Sequence, residues 1–469
     1  MEAGTHLGII SILPPILAIV LAFKTRNTIF SLFVSIFIGV LLTGNGLLAF
    51  PDLLKRSLGT TSFSWILLLE LFIGILIAFF QRTGAIQGFT EIMRKKNLSR
   101  VKIQLTSWVM GMFVFFSDYF SPLFVGSTMR SLSDKAKISR DKLAYIADST
   151  SAPVSVLVPI TGWAVYLSGL LVGMGPIINQ EMAMSTFVKS SLFNFYAIGA
   201  VLMVGLIATK VIPDFGPMKK SEERAINEGK VLRDGAEPLV GEELTETQAY
   251  PGYKINVFLN FIAPVLIVIS IAIGTYIVLG SAKTMEAFMA AVVFLGIVMR
   301  IKGIPFKDIM DTAVRGMKGV MPAIIILALS YSINELSKEM GTAYYIIEIT
   351  SGWMSAVVLP ALTFIIAAVI AFSTGTSWGT FAIVMPIAVP LAFGFSGGEI
   401  NMLVLATISA VAGGGVFGDH CSPLSDTTIL ASTGAAADHL DHVKTQAPYA
   451  LTVSALTIVL YLIVGFIGA

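Results

Sequence analysis

Long apolar segments recur along the whole chain, and they constrain its fold more than any other feature. Roughly ten of them approach the length of about 20 apolar residues that a membrane-spanning helix needs. Only 13% of the 469 residues are charged, about half the share found in soluble globular domains. These proportions exclude a disordered chain, a nucleic-acid-binding protein and an ordinary soluble enzyme. The predicted spans cover residues 9–23, 28–49, 64–80, 143–168, 185–209, 255–279, 284–300, 320–336, 402–433 and 447–468.

Two further apolar stretches, at 103–132 and 355–395, are interrupted in the middle by polar residues and glycine. We expect each of them to form a re-entrant helical hairpin that enters the membrane and returns to the same side. Irregular backbone is tolerated at that depth only where protein or water covers it. The hairpin turns are therefore candidates for a site inside the protein.

The positions of the basic residues predict how the chain is oriented. If the N-terminus lies outside, all but five of the 31 Lys and Arg residues fall on the cytoplasmic side, as the positive-inside rule requires. The five exceptions are Lys55, Arg56, Lys189, Lys283 and Lys338. Both termini are then predicted to lie outside a cell (inner) membrane. The first eight residues contain no Lys or Arg, so they lack the basic region of a signal peptide.

The segment 211–253 differs from the rest because it is charged, contains helix breakers and has no sustained apolar face. We predict that it is a cytoplasmic linker. It would join an N-terminal membrane unit at 1–210 to a C-terminal membrane unit at 254–469. The single cysteine, Cys421, excludes a disulfide framework and a multi-cysteine metal site.

The two units resemble each other at a nearly constant spacing. FPDLL at 50–54 matches FKDIM at 306–310, and the FS pair at 116 matches the FS pair at 372. After an extra stretch, DSTSAPVS at 148–155 matches DHCSPLS at 419–425 with one gap. Because each unit holds an odd number of spans, the second would insert upside down relative to the first. Such repeats are typical of secondary transporters, whose sites lie at the midplane between broken helices.

The predicted fold is therefore an all-α polytopic membrane protein with two inverted-topology repeats. Each repeat contains five predicted spans and one re-entrant helical hairpin, with broken helices at the midplane.

Polar residues cluster at the two hairpin turns and at two proline-containing breaks, at corresponding places in the two units. Pro153 and Pro423 should free backbone carbonyl oxygens beside acidic residues. Hydroxyls, free carbonyls and carboxylates together make a site of hard oxygen ligands, which suits Na⁺ and not soft metals. The predicted ion- or substrate-binding residues are Ser117, Asp118, Asp148, Ser149, Thr150, Ser373, Thr374, Thr376, Ser377, Asp419, His420, Ser422, Asp426 and Thr427.

Acidic residues within a membrane are costly unless they are paired or hydrated, so each one is a functional hypothesis. We predict that Asp148, Asp419 and Asp426 bind Na⁺, and that Asp148, Asp419 and Glu70 are candidates for carrying protons. One of the aspartates can equally be structural, holding hydroxyls or amides at a helix break. Glu70 can equally be a packing residue of its span. A carboxylate that accepts either H⁺ or Na⁺ provides antiport without any catalytic reaction.

Other motifs have simpler interpretations. The GxGxxG match at 413–418 lies in an apolar span, so it predicts close helix packing rather than nucleotide binding. The DHLDH run at 438–442 is expected to be a solvated face at a cytoplasmic helix end, with pH sensing as the alternative. His420 either tunes a proton or only forms hydrogen bonds at the break. The hydroxyls of Thr427 and Thr428 can bind ions or bond back to their own helix.

The run GDHCSPLSDTTILASTGAAADHLDHVKTQAPYA at 418–450 closely resembles the NhaC-type sodium/proton antiporter family. The stretches at 148–164 and 372–392 are similar to that family as well. The resemblance implies a secondary active transporter, most simply a Na⁺/H⁺ antiporter. It also implies elevator-type alternating access and a homodimer. Na⁺ would be the transported or coupling ion, and no cofactor is expected.

The same resemblance leaves the substrate open. The family includes a branch that exchanges malate and protons for lactate and Na⁺, together with carriers of amino acids or organic anions. Na⁺-coupled transport of a small organic anion or amino acid is therefore the alternative, and a non-transporting membrane scaffold is a remote one. No arginine falls at the predicted midplane to bind a carboxylate. This favours cation exchange, although helix N-termini and hydroxyls can also bind carboxylates.

Overall fold

The computed structural model describes residues 6–25, 27–46, 48–88, 91, 99–115, 118–159, 161–240, 249–279 and 283–468. Within these ranges the protein is helical, with loops and one isolated β-bridge between Pro238 and Asp438. Among the described residues, six helices are long and apolar enough to cross a membrane, and up to nine spans result if each bent pair counts as one. The chain is thus an all-helical polytopic membrane protein.

The first half of the chain contains α1 (Leu13–Thr25), α2 (Thr28–Leu42), α3 (Ala49–Leu58), α4 (Thr61–Arg82), α5 (Arg100–Phe113), α6 (Phe120–Lys135), α7 (Arg140–Ser149), α8 (Ala152–Leu157), α9 (Gly162–Leu171), α10 (Gln180–Ser190), α11 (Phe195–Ala208) and α12 (Gly216–Glu228). The second half contains α13 (Ala263–Leu279), α14 (Thr284–Ile301), α15 (Phe306–Gly319), α16 (Met321–Met340), α17 (Thr342–Ser351), α18 (Leu359–Thr374), α19 (Ser377–Phe395), α20 (Met402–Cys421), α21 (Asp426–Ala435) and α22 (His439–Gly468).

Local sequence signals explain where several helices begin and end. The side chains of Asn27, Thr60, Ser139 and Asn401 each accept a hydrogen bond from a backbone N–H in the first turn of the following helix. These N-caps satisfy donors that a helix start would otherwise leave unpaired. Gly375 follows α18 with φ +72°, a left-handed conformation that glycine adopts without steric cost.

Three predicted spans are bent rather than straight. The segment Arg140–Leu157 meets Gly162–Leu171 at 45°, and Gln180–Phe193 meets Phe195–Ala208 at 49°. The predicted span at 402–433 is divided, because α20 ends at Cys421 and α21 begins at Asp426. Proline lies in or beside the breaks after α7 and α20, where its missing amide prevents regular helix hydrogen bonding.

The linker contains a helix that its composition did not indicate. α12 buries Met218, Ser221, Glu222 and Ala225 and packs against α7 and α22. Two of these four side chains are polar, so no apolar stripe is visible in the sequence. They are tolerated because they have partners, including an ion pair between Glu222 and Arg100. The linker therefore lies against the membrane helices over this part of its length.

Buried side chains form two large cores to which both halves of the chain contribute. The first core is formed mainly by α1–α4 together with α13–α16. The second core is formed mainly by α7–α11 together with α18–α20 and α22. Phe120 of α6 and Leu430 of α21 belong to the first core, whereas Val125 of α6 and Ala435 of α21 belong to a third, smaller core. α6 and α21 pack on each other, so this pair of helices joins the first and third cores.

Candidate functional site

The break between α20 and α21 surrounds Asp419 with hydroxyl groups. Asp419 is only 2% exposed. Its Oδ2 accepts a hydrogen bond from Ser377 Oγ at 2.7 Å, and its Oδ1 accepts one from Ser425 Oγ. Thr427 Oγ1 lies 3.1 Å from Ser425 Oγ, and Thr428 Oγ1 donates to the Asp419 carbonyl at 3.0 Å. Neither threonine hydroxyl bonds back to its own helix, so both belong to the site.

The turn between α18 and α19 lies directly on this break. A Cβ atom at Gly375 would lie 2.6 Å from the carbonyl oxygen of Leu424, which is too close for any side chain. Ser422 Oγ donates to the carbonyl of Phe372 at 2.7 Å and ties the break to the end of α18. Because Gly375 has no side chain, the turn can approach the break closely enough to place Ser377 against Asp419. Gly375 also has a positive φ, a conformation that favours glycine.

The break between α7 and α8 surrounds Asp148 with nitrogen donors instead. Asp148 is 0% exposed. Its Oδ2 accepts a hydrogen bond from Gln446 Nε2 at 2.8 Å and lies 3.2 Å from His442 Nε2. Its Oδ1 and the Nδ1 of His442 have no hydrogen-bond partner among the described residues. The carboxylates of Asp148 and Asp419 therefore have different partners.

His420 and Gln446 connect the two breaks. His420 follows Asp419 in the chain, and its Nε2 lies 2.8 Å from Ser149 Oγ, the residue after Asp148. Its Nδ1 lies 2.8 Å from the hydroxyl of Tyr196. Gln446 donates both to Asp148 and to the carbonyl of His420. Both ring nitrogens of His420 are thus engaged, and hydrogen bonds join the two breaks.

A cavity of about 810 Å³ lies between the two cores, and Asp118 and Asp426 line it. Tyr119 OH donates to Asp426 Oδ2 at 3.1 Å, while the Oδ2 of Asp118 has no partner among the described residues. The carboxylates of Asp118, Asp419 and Asp426 interact electrostatically. Other lining residues are Thr60, Thr61, Trp65, Trp163, Tyr166, Ser330, Tyr331, Asn334, Glu335, Lys338, Thr376 and Trp378.

Several other predicted site residues use their hydroxyls locally. Thr150 donates to the carbonyl of Ile146, Ser373 to that of Val369 and Thr374 to that of Ile370, each within its own helix. Ser117 lies outside the described residues. Glu70 is buried in α4, where neither carboxylate oxygen has a partner among the described residues, and it does not line the cavity.

The prediction of a solvated face at 438–442 is wrong. His442 is 0% exposed and contacts Asp148, while His439 Nε2 lies 2.9 Å from the carbonyl of Pro423. The run is buried because the linker covers it, with Arg233 bound to both Asp438 and Asp441. The spacing of His442 and Gln446 by four residues was the available signal, since it places both on one face of a helix.

The packing interpretation of the GxGxxG match is confirmed. A Cβ atom would lie 2.3 Å from the ring of Phe381 at Gly415 and 2.4 Å from the backbone nitrogen of Phe372 at Gly418, so α20 approaches α19 and α18 more closely than larger residues allow. The sequence gives no signal for the contact between Tyr196 and His420, because a tyrosine in an apolar span is common and does not by itself indicate a site.

The site has more negative than positive side chains. Among the described residues, no Lys or Arg is paired with Asp118, Asp148, Asp419 or Asp426, and His442 is the one basic side chain in contact with any of them. The described chain also contains no group of three or more His, Cys, Asp or Glu arranged to hold a metal ion. Buried carboxylates without such partners are stabilised by protons or by a small cation with oxygen ligands.

Comparison with known proteins agrees with this chemistry. Residues 169–466 match the Na⁺/H⁺ antiporter family. An uncharacterized protein of Haemophilus influenzae is 33% identical over 97% of this chain and 91% of its own length. The malate-2H⁺/Na⁺-lactate antiporter of Bacillus subtilis is 28% identical over 37% of this chain and 36% of its own length. An uncharacterized Na⁺/H⁺ antiporter of Haemophilus influenzae is 28% identical over 43% of this chain and 42% of its own length.

The family match covers more than half of the chain. This protein therefore belongs to the Na⁺/H⁺ antiporter family, of NhaC type, whose members are transporters rather than enzymes.

Proposed function

We propose that this protein exchanges Na⁺ for protons at the two helix breaks by alternating access. The observation that carries the proposal is the set of buried carboxylates at 118, 148 and 419, together with the partly buried Asp426, none of which pairs with Lys or Arg in the described part of the chain. An acidic residue within a membrane is costly unless a proton, a cation or a hydrogen-bond donor compensates its charge. In an exchange cycle either Na⁺ or a proton is bound to the carboxylates, so their charge is compensated in both states.

Na⁺ binds at Asp419 in this proposal. Ser377 and Ser425 donate hydrogen bonds to the carboxylate when the cation is absent. A hydroxyl can rotate and present its lone pairs instead, so the same groups become ligands when Na⁺ arrives. Thr427 can add an oxygen ligand, since its Oγ1 lies 3.1 Å from Ser425 Oγ, and the carboxylates of Asp118 and Asp426 add negative potential. Hard oxygen ligands favour Na⁺.

The proton binds at the pair formed by Asp148 and His442. The Gln446 side chain could offer its carbonyl oxygen only by flipping and losing its bonds to Asp148 and to the His420 carbonyl, and the imidazole of His442 is a proton-binding group. The unpartnered Oδ1 of Asp148 and Nδ1 of His442 leave room for proton entry. Nitrogen donors fixed on a carboxylate make a poor Na⁺ site, which separates this centre from the one at Asp419.

Electrostatic repulsion couples the two centres. The charges of Asp148 and Asp419 interact, so a positive charge bound at one centre weakens binding of a positive charge at the other. Such coupling is reciprocal by thermodynamic necessity. Na⁺ binding thus promotes proton release and proton binding promotes Na⁺ release, which is the condition for antiport.

The packing of the first core supports an inverted repeat. α15 packs on α4 and α16 packs on α3, while α14 packs on α4 and α2 packs on α16. If α2, α3 and α4 correspond to α14, α15 and α16, each contact has a counterpart in the other half. The contact of α15 with α4 then corresponds to that of α3 with α16, and the contact of α14 with α4 to that of α2 with α16. We propose units at 1–210 and 254–469, a cytoplasmic linker at 211–253 and a cell-membrane location with both termini outside. The second core would move against the first in an elevator-type cycle, in a homodimer as the family resemblance implies.

Ion exchange in proteoliposomes tests this function. We expect an imposed pH difference to collapse when Na⁺ is added, with Li⁺ less effective and K⁺ ineffective. Liposomes without protein are the control. A pH difference that persists with each of these cations would overturn Na⁺/H⁺ exchange.

A second candidate is Na⁺-coupled transport of a small organic solute, and the cavity favours it. A volume of about 810 Å³ lies within the range of small-molecule sites and exceeds what a bare cation needs. Uptake of labelled malate, lactate and amino acids with and without a Na⁺ gradient distinguishes the candidates. Pure cation exchange predicts no gradient-dependent uptake of any of them.

A further inference from the structure

We propose that the cavity between the two cores binds a small organic ammonium ion, with Asp118 as its counter-charge. This rests on the proposed function in one respect, because it assumes that the central carboxylates face a transport pathway. It goes beyond Na⁺/H⁺ exchange because it names a class of organic solute for the cavity, which is larger than a bare cation needs.

The charge of the cavity wall favours a cation. Asp118 and Asp426 lie on the wall without an ion-pair partner in the described structure, whereas the lining residue Lys338 has a side chain that is 53% exposed and lies 3.6 Å from Glu335. An anionic solute entering this space would face uncompensated negative charge in a region of low dielectric constant. A singly charged cation would be attracted by the same carboxylates.

Four buried polar atoms on the wall lack hydrogen-bond partners among the described residues, namely Asp118 Oδ2, Ser330 Oγ, Trp163 Nε1 and Trp378 Nε1. Asp118 and Ser330 are each 5% exposed, and the Oδ2 of Asp118 and the Oγ of Ser330 form no hydrogen bond with the described residues. Buried polar atoms in a folded protein are almost always paired. The oxygens of Asp118 and Ser330 can accept hydrogen bonds, so a primary ammonium group would satisfy them together, whereas a quaternary ammonium ion offers its charge alone. The two indole N–H groups are donors and can bind an oxygen of the same ligand.

Aromatic side chains provide the remaining walls. The rings of Trp163 and Trp378 are 5.3 Å apart, those of Tyr166 and Trp378 are 4.7 Å apart, and Trp65 lies 5.5 Å from Tyr119. All of these residues line the cavity. Aromatic rings attract organic cations through their quadrupoles and pack against the alkyl part of the same ligand. Na⁺ with oxygen ligands makes no such use of an aromatic wall.

Tryptophan fluorescence tests the proposal on the purified full-length protein. Three of the five tryptophans line the cavity, so occupancy should change the emission. We would titrate choline, butylammonium, lactate and 3,3-dimethylbutan-1-ol, the neutral isostere of choline. We expect at least one ammonium ion to give a saturable change, with an affinity at least about tenfold above that of the neutral isostere.

Variants locate the binding site. Asp118→Asn should weaken ammonium binding about tenfold or more, and Ser330→Ala should weaken it by a smaller factor. Trp353→Phe removes a tryptophan that is 72% exposed and does not line the cavity, so it should leave the titration unchanged. If Asp118→Asn does not fold, the comparison of choline with its isostere on the unmodified protein and Ser330→Ala still decides the question.

Three outcomes would overturn the proposal: tighter binding of lactate than of either ammonium ion, equal binding of choline and its neutral isostere, or no saturable binding of either ammonium ion. Na⁺-driven collapse of a pH difference would be measured on the same preparation. If that collapse persists without ammonium binding, the cavity proposal alone fails. If ammonium ions bind but Na⁺ has no effect, the Na⁺/H⁺ proposal alone fails.

Discussion

The two helix breaks begin with similar residues but surround their aspartates with different chemistry. Asp148 and Asp419 each lie in the last turn of a helix, and each is followed within five residues by serine and proline. Nitrogen donors from Gln446 and His442 bind Asp148, whereas hydroxyls of Ser377 and Ser425 bind Asp419. Related backbone breaks in the two halves have thus acquired different partners from distant helices.

This difference shows how a duplicated motif can support two roles. The proline-containing break supplies a buried carboxylate in both places, and the side chains brought to it decide which cation it can accept. A hydroxyl can turn from donor to ligand in place, whereas Gln446 could offer its oxygen only by flipping and losing its bonds to Asp148 and to the His420 carbonyl. We therefore assign Na⁺ binding to the Asp419 break and proton binding to the Asp148 break. Each of the following predictions tests this assignment.

The largest effect is expected from Asp419→Asn. Loss of the carboxylate removes the charged ligand from a site of low dielectric constant, so Na⁺/H⁺ exchange should fall at least about 100-fold. The measurement is Na⁺-driven collapse of a pH difference in proteoliposomes. Asp52→Asn is the matched control, since Asp52 lies on the surface in a pair with Lys55 and should keep full activity. Exchange by Asp419→Asn at the rate of that control would rule out the site.

A smaller but distinctive effect is expected from His442→Gln. Glutamine can donate a hydrogen bond to Asp148 but cannot carry a proton at physiological pH. The rate of exchange should fall about tenfold and lose its pH dependence. The Na⁺ affinity measured by thermal stabilisation should stay within about twofold of that of the parent protein. The control is His6→Gln, because His6 lies near the surface beside Glu348. An unchanged pH profile for His442→Gln would remove the proton role from this pair.

Serine-to-alanine substitutions at the two breaks should change the Na⁺ concentration for half-maximal exchange by different factors. Ser377→Ala removes a hydroxyl that binds the carboxylate of Asp419, and it should raise the Na⁺ concentration for half-maximal exchange about tenfold. Ser149→Ala removes a hydroxyl that contacts His420 instead, and the same concentration should change by less than about twofold. Equal shifts for the two variants would contradict the asymmetry.

The smallest effect is expected at the linker. Arg233 binds Asp438 at 2.9 Å and Asp441 at 2.5 Å. Both aspartates lie at the start of α22, the helix that carries His442. Because this cluster is partly exposed, Arg233→Gln should destabilise the protein by only about 1 kcal/mol and leave Na⁺ affinity unchanged. Lys230→Gln, in the exposed pair with Asp234, should have no effect on thermal stability. A large loss of Na⁺ affinity in Arg233→Gln would mean that the linker controls the Asp419 break as well.

Local chemistry made much of the fold predictable from the sequence. Long apolar runs give the membrane helices, and the breaks at Asp148 and Asp419 follow from neighbouring prolines, whose effect on a helix needs no tertiary context. Ser377 was predicted to be a site residue for its position at a hairpin turn. Its bond to Asp419 depends on the contact between Gly375 and Leu424, which no periodicity reveals.

The partners of Asp148 were not predicted because they come from the other end of the chain. His442 lies 294 residues away from Asp148, in a run whose charges resemble a solvated helix end. Its burial depends on the linker segment around Arg233, whose composition indicated no fixed structure. Charged sequences that cover a helix end in this way look the same as exposed ones until the pairing is known.

The central claim is that Na⁺ binds at the Asp419 break and the proton at the Asp148 break. The most direct test is Na⁺ affinity measured by thermal stabilisation of purified Asp419→Asn and Asp148→Asn side by side. We predict that Asp419→Asn loses saturable stabilisation by Na⁺, whereas Asp148→Asn keeps it within about threefold of the parent affinity. Loss of Na⁺ stabilisation in Asp148→Asn with retention in Asp419→Asn, or equal loss in both, would contradict the assignment.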